Sequence, residues 1–288
     1  MSRMAGARHY AEYAAFRLFA ALARALPLEA ASRWSGRAWR VVAPRSPRHR
    51  RALDNLALAL PETSAAERER IARDMWENLG RTFAEFFRLA EIDAERRVTL
   101  ESPEEAPAIL AAAPFVVCAL HMGNWELMSV SAERYGVRLA GVYQKLANPL
   151  VERDVYAIRA PHYPAGLYEK SLATMRAFMR LPRQGACPAF LADLHEGRGV
   201  ATPFFGRSVL ANPFPAQLAR ALGLPLYAAR VLRLADVRFS MRVVPVEVPR
   251  TNDRDADVAA AIAALYARFE EFIREAPEQW MWAQRRWR

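Results

Sequence analysis

From Ser64 the chain reads S-A-A-E, a serine followed three residues later by a glutamate, and then places Ile71, Met75, Leu79, Phe83 and Phe86 at helical spacing. The pattern predicts a capped amphipathic helix of roughly 25 residues. Beyond it the character changes, and short apolar runs alternate with helical patterns. PFVVCAL (114–120) reads as a buried strand, NWELMSVSAERYG a helix, VRLAGVYQ a strand and NPLVERDVYAIRA a helix. Next come a helix in SLATMRAFMRL, strands in CPAFLAD and GVATPFF, and a helix in PFPAQLARALG. PLYAARVLRL and VRFSMRVVPVEV then read as neighbouring antiparallel strands. A last helix from about Asp255 to Ala276 sets Val258, Ile262, Leu265, Phe269 and Phe272 on one face. Strands alternating with helices predict an α/β fold with a mixed, mostly parallel sheet flanked by helices.

The first thirty residues contain YAEYAAFRLFAALARALPL, which Glu12, Arg17 and Arg24 interrupt. A spanning helix needs about 20 mostly apolar residues, and each central arginine costs about 2.5–3.5 kcal/mol on insertion scales. A crossing is therefore disfavoured. Two readings fit: a helix lying in the membrane interface with Tyr10, Tyr13, Phe16, Phe19 and Leu22 in lipid, or a helix packed on the protein's own body. No small-residue cleavage site follows a clean apolar stretch, so a secretory signal is not expected. Between Arg33 and Arg51, Arg37, Arg40, Arg45, Arg48, His49 and Arg50 interleave with Trp34 and Trp39. This composition suits an anionic membrane surface and equally an ordinary solvated helix pair. The expected organisation is a helical, basic, membrane-associating segment over residues 1–50, followed by one α/β domain over residues 51–288.

A hydrophobic content of 53% is ample for a sizeable core, which excludes disorder over most of the length. The net charge of +10 is carried almost wholly by arginine, since Lys145 and Lys170 are the only lysines. Such a balance selects anionic partners: lipid headgroups, nucleic acid or an acidic carrier protein. Cys118 and Cys187 both sit in apolar runs, so neither a disulfide framework nor a zinc site is expected.

The chemistry concentrates in Leu120-His121-Met122-Gly123-Asn124-Trp125-Glu126. A buried strand ends there and a helix begins, which is the crevice where α/β sheets place ligands. His121 leaves the strand's carboxyl end, Gly123 permits a tight backbone, Asn124 is a good N-cap, and Glu126 falls in the first helical turn. From that turn the Glu126 carboxylate can fold back to the His121 imidazole, fixing its tautomer and stabilising the imidazolium. The bland alternative is a capping asparagine and an acidic residue favoured by the helix dipole. Other constellations carry less. Asp193-Leu194-His195-Glu196 lacks paired metal-ligand spacing, which leaves His195 as a loop residue, and there is no G-x-S-x-G elbow, P-loop or G-x-G-x-x-G fingerprint.

HMGNWE resembles the H-x-x-N-W-E/D signature of the bacterial late acyltransferases of lipid A biosynthesis. Asn148-Pro149, Arg159, Asp193, the stretch GVATPFFG (199–206), Pro277-Glu278-Gln279-Trp280-Met281-Trp282 and Arg285-Arg286-Trp287 match in the family's order, so the resemblance covers nearly the whole chain. It implies a glycerolipid acyltransferase-like fold in which residues 51–288 form the acyltransferase domain. The implied reaction moves a fatty acyl group from an acyl carrier protein thioester to a hydroxyl of a phosphorylated glycolipid, a lipid A precursor. The implied place is the cytoplasmic face of the inner membrane, with peripheral or monotopic attachment to the membrane surface. His121 and Glu126 would be the catalytic pair, with Asn124, Arg159 and Asp193 on the substrate side. No metal, cofactor or nucleic acid is implied, because a thioester is already activated. Arg159, Arg198 and Arg207 are candidate phosphate contacts, although for the last two the solvated loop arginine is the preferred reading. Phe204-Phe205 with Trp280, Trp282 and Trp287 fit either an acyl tunnel or aromatic core packing. The chain departs from the family at Gln284, where a histidine is usual. Two further hypotheses stay open: another membrane glycolipid or aminolipid as acceptor, and a non-catalytic basic protein that binds membrane or nucleic acid.

Overall fold

The computed structural model describes residues 6–287, so residues 1–5 and 288, which the expected organisation included, lie outside the described residues. Four helices open the chain: α1 (Ala7–Ala25), α2 (Leu28–Val42), α3 (Pro47–Ala59) and α4 (Ala65–Glu85). Ser64 caps α4 as expected, its hydroxyl accepting from the Glu67 amide at 3.1 Å. The Glu67 carboxylate turns to Arg70 instead of completing the box. Then follow α5 (Leu89–Ala94), β1 (Val98–Leu100), α6 (Ala106–Ala111), β2 (Val116–Ala119), α7 (Leu127–Arg134), β3 (Leu139–Tyr143), α8 (Pro149–Arg159), β4 (Leu167–Glu169), α9 (Leu172–Phe178) and β5 (Cys187–Leu191). The chain closes with β6 (Val200–Phe204), β7 (Arg207–Ala211), α10 (Phe214–Leu222), β8 (Leu226–Arg233), β9 (Phe239–Val246) and α11 (Arg254–Glu275).

Seven strands form one sheet in the order β1-β9-β8-β2-β5-β3-β4. β8, β2, β5, β3 and β4 run parallel, while β9 pairs antiparallel with β8 and carries β1 alongside it. The mixed, mostly parallel sheet with flanking helices is thus the one expected. β6 and β7 form a separate antiparallel hairpin.

β2 is central and apolar on both faces, as a strand covered on both sides must be. Val116, Cys118 and Leu120 enter one core layer with Leu218, Ile262 and Phe269 from α10 and α11. Val117 and Ala119 enter the other with Leu127, Val130 and Leu139. Buried on both faces and flanked by β8 and β5, β2 gives the site at its carboxyl end a rigid base.

α2 packs on α4 through small residues. A Cβ on Gly80 would stand 2.7 Å from the Ser35 carbonyl oxygen, so only glycine allows the approach that lets the Ser35 hydroxyl donate to the Gly80 carbonyl at 2.6 Å. α1 lies over α8. Asn148 caps α8 through Leu150 and also donates to the His9 carbonyl and Glu12, while the Tyr13 hydroxyl donates to Asp154.

This packing divides the apolar residues of α1 between two faces. Phe16 and Phe19 meet Phe87 at 5.4 and 5.9 Å between ring centroids, so Tyr13, Phe16 and Phe19, expected in lipid on one reading, lie against the protein body. Tyr10, Leu18, Leu22 and Leu26, spaced by fours or eights, form an exposed stripe instead. No helix among the described residues is long and apolar enough to cross a membrane. Part of the basic stretch is likewise used internally. Arg40 pairs with Asp74 and Glu77, His49 is held between Glu69 and Trp76, and Trp39 packs on Trp76 and Phe83. Arg37, Arg45, Arg48 and Arg50 remain exposed, without an ion pair among the described residues.

Candidate active site

β2 and β5 are parallel neighbours with Ala119 opposite Leu191. His121 follows Ala119 by two residues and Asp193 follows Leu191 by two, so equal offsets from one register pair bring both to the same height past the sheet. The His121 Nδ1–H donates to Asp193 Oδ1 at 2.7 Å and the His121 backbone N–H donates to Asp193 Oδ2 at 3.0 Å. A carboxylate only accepts, so Nδ1 carries the proton and Nε2 presents its lone pair. No hydrogen bond engages Nε2 among the described residues. Trp125 stands edge-on to the imidazole, 5.1 Å between centroids.

Asp193 is fully buried and takes two further donors on Oδ2, Trp280 Nε1 and Arg286 Nη2, each at 2.9 Å. Burial alone would raise this acid. The Arg286 guanidinium and His121 outweigh burial and hold the carboxyl well below the ordinary carboxylate range. Arg286 is itself buried and lies over the Trp280 ring at 4.6 Å. These residues come from the C-terminal segment, which straps across the strand ends: Gly123 N–H donates to the Gln279 carbonyl at 2.9 Å and Met281 N–H to that of His121 at 3.0 Å.

The expected contact between Glu126 and His121 is corrected here. α7 begins only at Leu127, and Glu126 lies with Arg159 from the end of α8: Arg159 Nε donates to Oε2 at 2.9 Å and Nη2 to Oε1. Trp125 Nε1 adds a bond to Oε1 at 3.0 Å. No ion pair joins Glu126 to His121 among the described residues. A guanidinium fork matches both carboxylate oxygens at once, which a single imidazole nitrogen cannot do. Burial lowers the Arg159 pKa but the Glu126 charge more than restores it, so the value is raised.

Asn124, expected to cap the helix and to face substrate, does neither with its side chain. It is fully buried, and its amide donates to Glu85 Oε2 at 2.9 Å. Asp193, also expected on the substrate side, lies beneath the imidazole. Gly123 has φ +58°, and a Cβ there would fall 1.8 Å from the Val231 carbonyl oxygen, so the turn requires glycine. Of the five residues marked from sequence, the fold thus makes two pairs, His121 with Asp193 and Glu126 with Arg159, and sets Asn124 behind them.

Arg286 and the Trp280 indole escaped assignment as site residues. Tryptophans and arginines near a chain end give no sign of which strand end they will meet. Phe204, Phe205, Trp280, Trp282 and Trp287 pack on one another, mostly edge-on, with ring centroids 4.6–6.3 Å apart and Phe204, Trp280 and Trp282 wholly buried, and so form aromatic core. A different apolar cleft lies on the other face of the sheet, walled by Val117, Met128, Ala132, Leu139, Ala229 and Met241. No group of three or more metal-ligating side chains occurs among the described residues.

An imidazole with a fixed tautomer, a buried carboxylate behind it and a free Nε2 can remove a proton from a hydroxyl. Compared with known families, residues 5–288 match the profile of the bacterial lipid A biosynthesis acyltransferases. No curated protein sequence matches the chain.

Proposed function

The chain belongs to the bacterial lipid A biosynthesis acyltransferase family, and from that premise we propose that it moves a fatty acyl group from an acyl carrier protein thioester to a hydroxyl of a phosphorylated lipid A precursor. An acyltransferase of lipid A synthesis needs an acyl donor and a lipid acceptor. The thioester donor and the residue roles are our reading of the site.

One observation carries the mechanism: the Asp193 bond at His121 Nδ1, which leaves Nε2 as the base. His121 Nε2 takes the proton of the acceptor hydroxyl as its oxygen attacks the thioester carbonyl. Asp193 stabilises the imidazolium. The tetrahedral intermediate collapses with loss of the C–S bond, and the Nε2 proton passes to the departing thiolate. General base catalysis supplies roughly 10²–10⁴-fold, so orientation of the two substrates must contribute further.

Glu126 takes a different part from the one its spacing suggested. Its carboxylate holds Arg159, whose side chain is partly exposed, and the remaining Nη1 of that guanidinium is our candidate for the acceptor's phosphate. The cleft beneath α7 is our candidate seat for the fatty chain. Its walls are almost wholly apolar, and Met128 and Val117 belong to the two elements that flank the His121 turn. We place the protein peripherally on the cytoplasmic face of the inner membrane. The exposed stripe of α1 would lie in the interface, with Arg37, Arg45, Arg48 and Arg50 toward anionic headgroups.

The test is mass spectrometry of a lipid A precursor incubated with purified protein and acyl carrier protein donors of several chain lengths. The expected product is heavier by one acyl group with wild type and absent with His121→Ala, whose fold is retained. Full product with His121→Ala rejects the mechanism.

A further inference from the structure

Against the His121 turn lies a buried ion pair that takes no part in the reaction just described. Glu85, at the end of α4, is wholly buried, and Arg233, at the end of β8, meets it with Nη1 at 2.5 Å and Nη2 at 2.9 Å. Both partners reach the turn. Glu85 Oε2 accepts from the Asn124 amide at 2.9 Å. Arg233 Nε donates to Asn78 Oδ1 at 2.9 Å, and the Asn78 amide, with the Thr82 hydroxyl, donates to the Gly123 carbonyl, each at 3.0 Å. The Arg233 backbone is fixed in turn, its N–H and carbonyl both bonded to the Gln279 side chain at 2.8 and 2.9 Å.

We propose that Glu85, paired with Arg233, is a positioning residue for catalysis that sets the His121-to-Glu126 turn. Two physical points support this. A buried ion pair is a weak stabiliser, because desolvation offsets its attraction, whereas its hydrogen-bond geometry is strict. The turn also gets little restraint from its own side chains: Gly123 is in the left-handed region, the Asn124 Oδ1 is buried without a partner, and α7 starts without a side-chain cap. The pair adds, from α4 and β8, a side-chain restraint to the backbone bonds of the C-terminal strap. The imidazole and the Arg159-bearing carboxylate are thereby kept at a fixed separation without either touching Glu85.

The kinetic part of the test rests on the acyl-transfer reading, and the exchange part does not. Glu85→Gln and Asn124→Ala are compared with Ser32→Ala, which removes a 2.7 Å hydrogen bond to Glu85 Oε1, the carboxylate oxygen that Asn124 does not touch. A misplacement of about 1 Å can cost about 100-fold in rate. Accordingly Glu85→Gln and Asn124→Ala each lower kcat by about that factor while KM for the donor stays within about threefold. The double variant is no worse than the poorer single one, because both break the same link. Amide hydrogen exchange rises across residues 122–127 in both variants. Ser32→Ala keeps kcat and exchange near wild type. If Glu85→Gln does not fold, Asn124→Ala decides, since it leaves the ion pair intact. Wild-type exchange and kcat in Asn124→Ala, or an equal loss in Ser32→Ala, overturns the proposal. Absence of acyl transfer by the wild-type protein rejects the reaction instead, and the exchange comparison then decides positioning.

Discussion

Which carboxylate meets an imidazole settles both the tautomer and the ease with which a positive charge is carried. Here Asp193 does so through two bonds to one residue, and Arg286 and Trp280 saturate its second oxygen. Glu126, nearer in sequence, is held by a better-matched partner, and in the proposed mechanism it presents Arg159. That division of labour has a kinetic signature. Arg159→Met is expected to raise KM for the phosphorylated acceptor by about tenfold or more, the scale of one charged hydrogen bond, with a much smaller change in KM for the donor. Steady-state kinetics varying each substrate in turn checks it. Equal effects on both constants would remove the phosphate role. His121 was legible because an apolar strand that runs out into a histidine and then a tight glycine turn sets a polar ring at the mouth of the sheet, where ligands bind. Its partner was not, because a contact across 72 residues depends on strand register. The only sign available was that Asp193 stands as far past CPAFL as His121 does past VVCA.

At the scale of elements, the long patterns were readable and the short ones were not. α4 and α11 have many turns over which a stripe repeats, and the central strands are continuous apolar runs. β1 and β4 hold three residues each, too few for any period to show, and exist because a neighbouring edge accepts them. The N-terminal helix misled for another reason. It has one apolar stripe for the body and another for the outside, so a single-face reading merged them. If the outer stripe meets lipid, Leu18→Glu with Leu22→Glu should abolish binding to vesicles containing anionic lipid while changing stability by no more than about 0.5 kcal/mol, as for other exposed sites. Vesicle flotation and denaturant titration of the same variant test this. Undiminished flotation would refute the surface assignment.

For the molecule as a whole, the C-terminal strap is what joins the two halves of the site. It buries Trp280 and Trp282, bonds the His121 turn through Gln279 and Met281, and delivers Arg286 to Asp193. In the proposed mechanism stability and catalysis therefore share one buried carboxylate. Because folding depresses the Asp193 pKa, its contribution is present above the unfolded value of about 3.9 and is lost as pH falls toward the folded one. Denaturant midpoints measured across acid pH should therefore decline less steeply in Asp193→Asn than in wild type. Parallel curves would place the acid sensitivity elsewhere. The same variant gives the sharpest examination of the whole account. In single-turnover acyl transfer at neutral pH, Asp193→Asn should lose about 10²–10⁴ in rate, as an imidazole deprived of its orienting charge does, and fall close to His121→Ala. Transfer at the wild-type rate by Asp193→Asn, with the loss confined to Glu126→Gln, would contradict it.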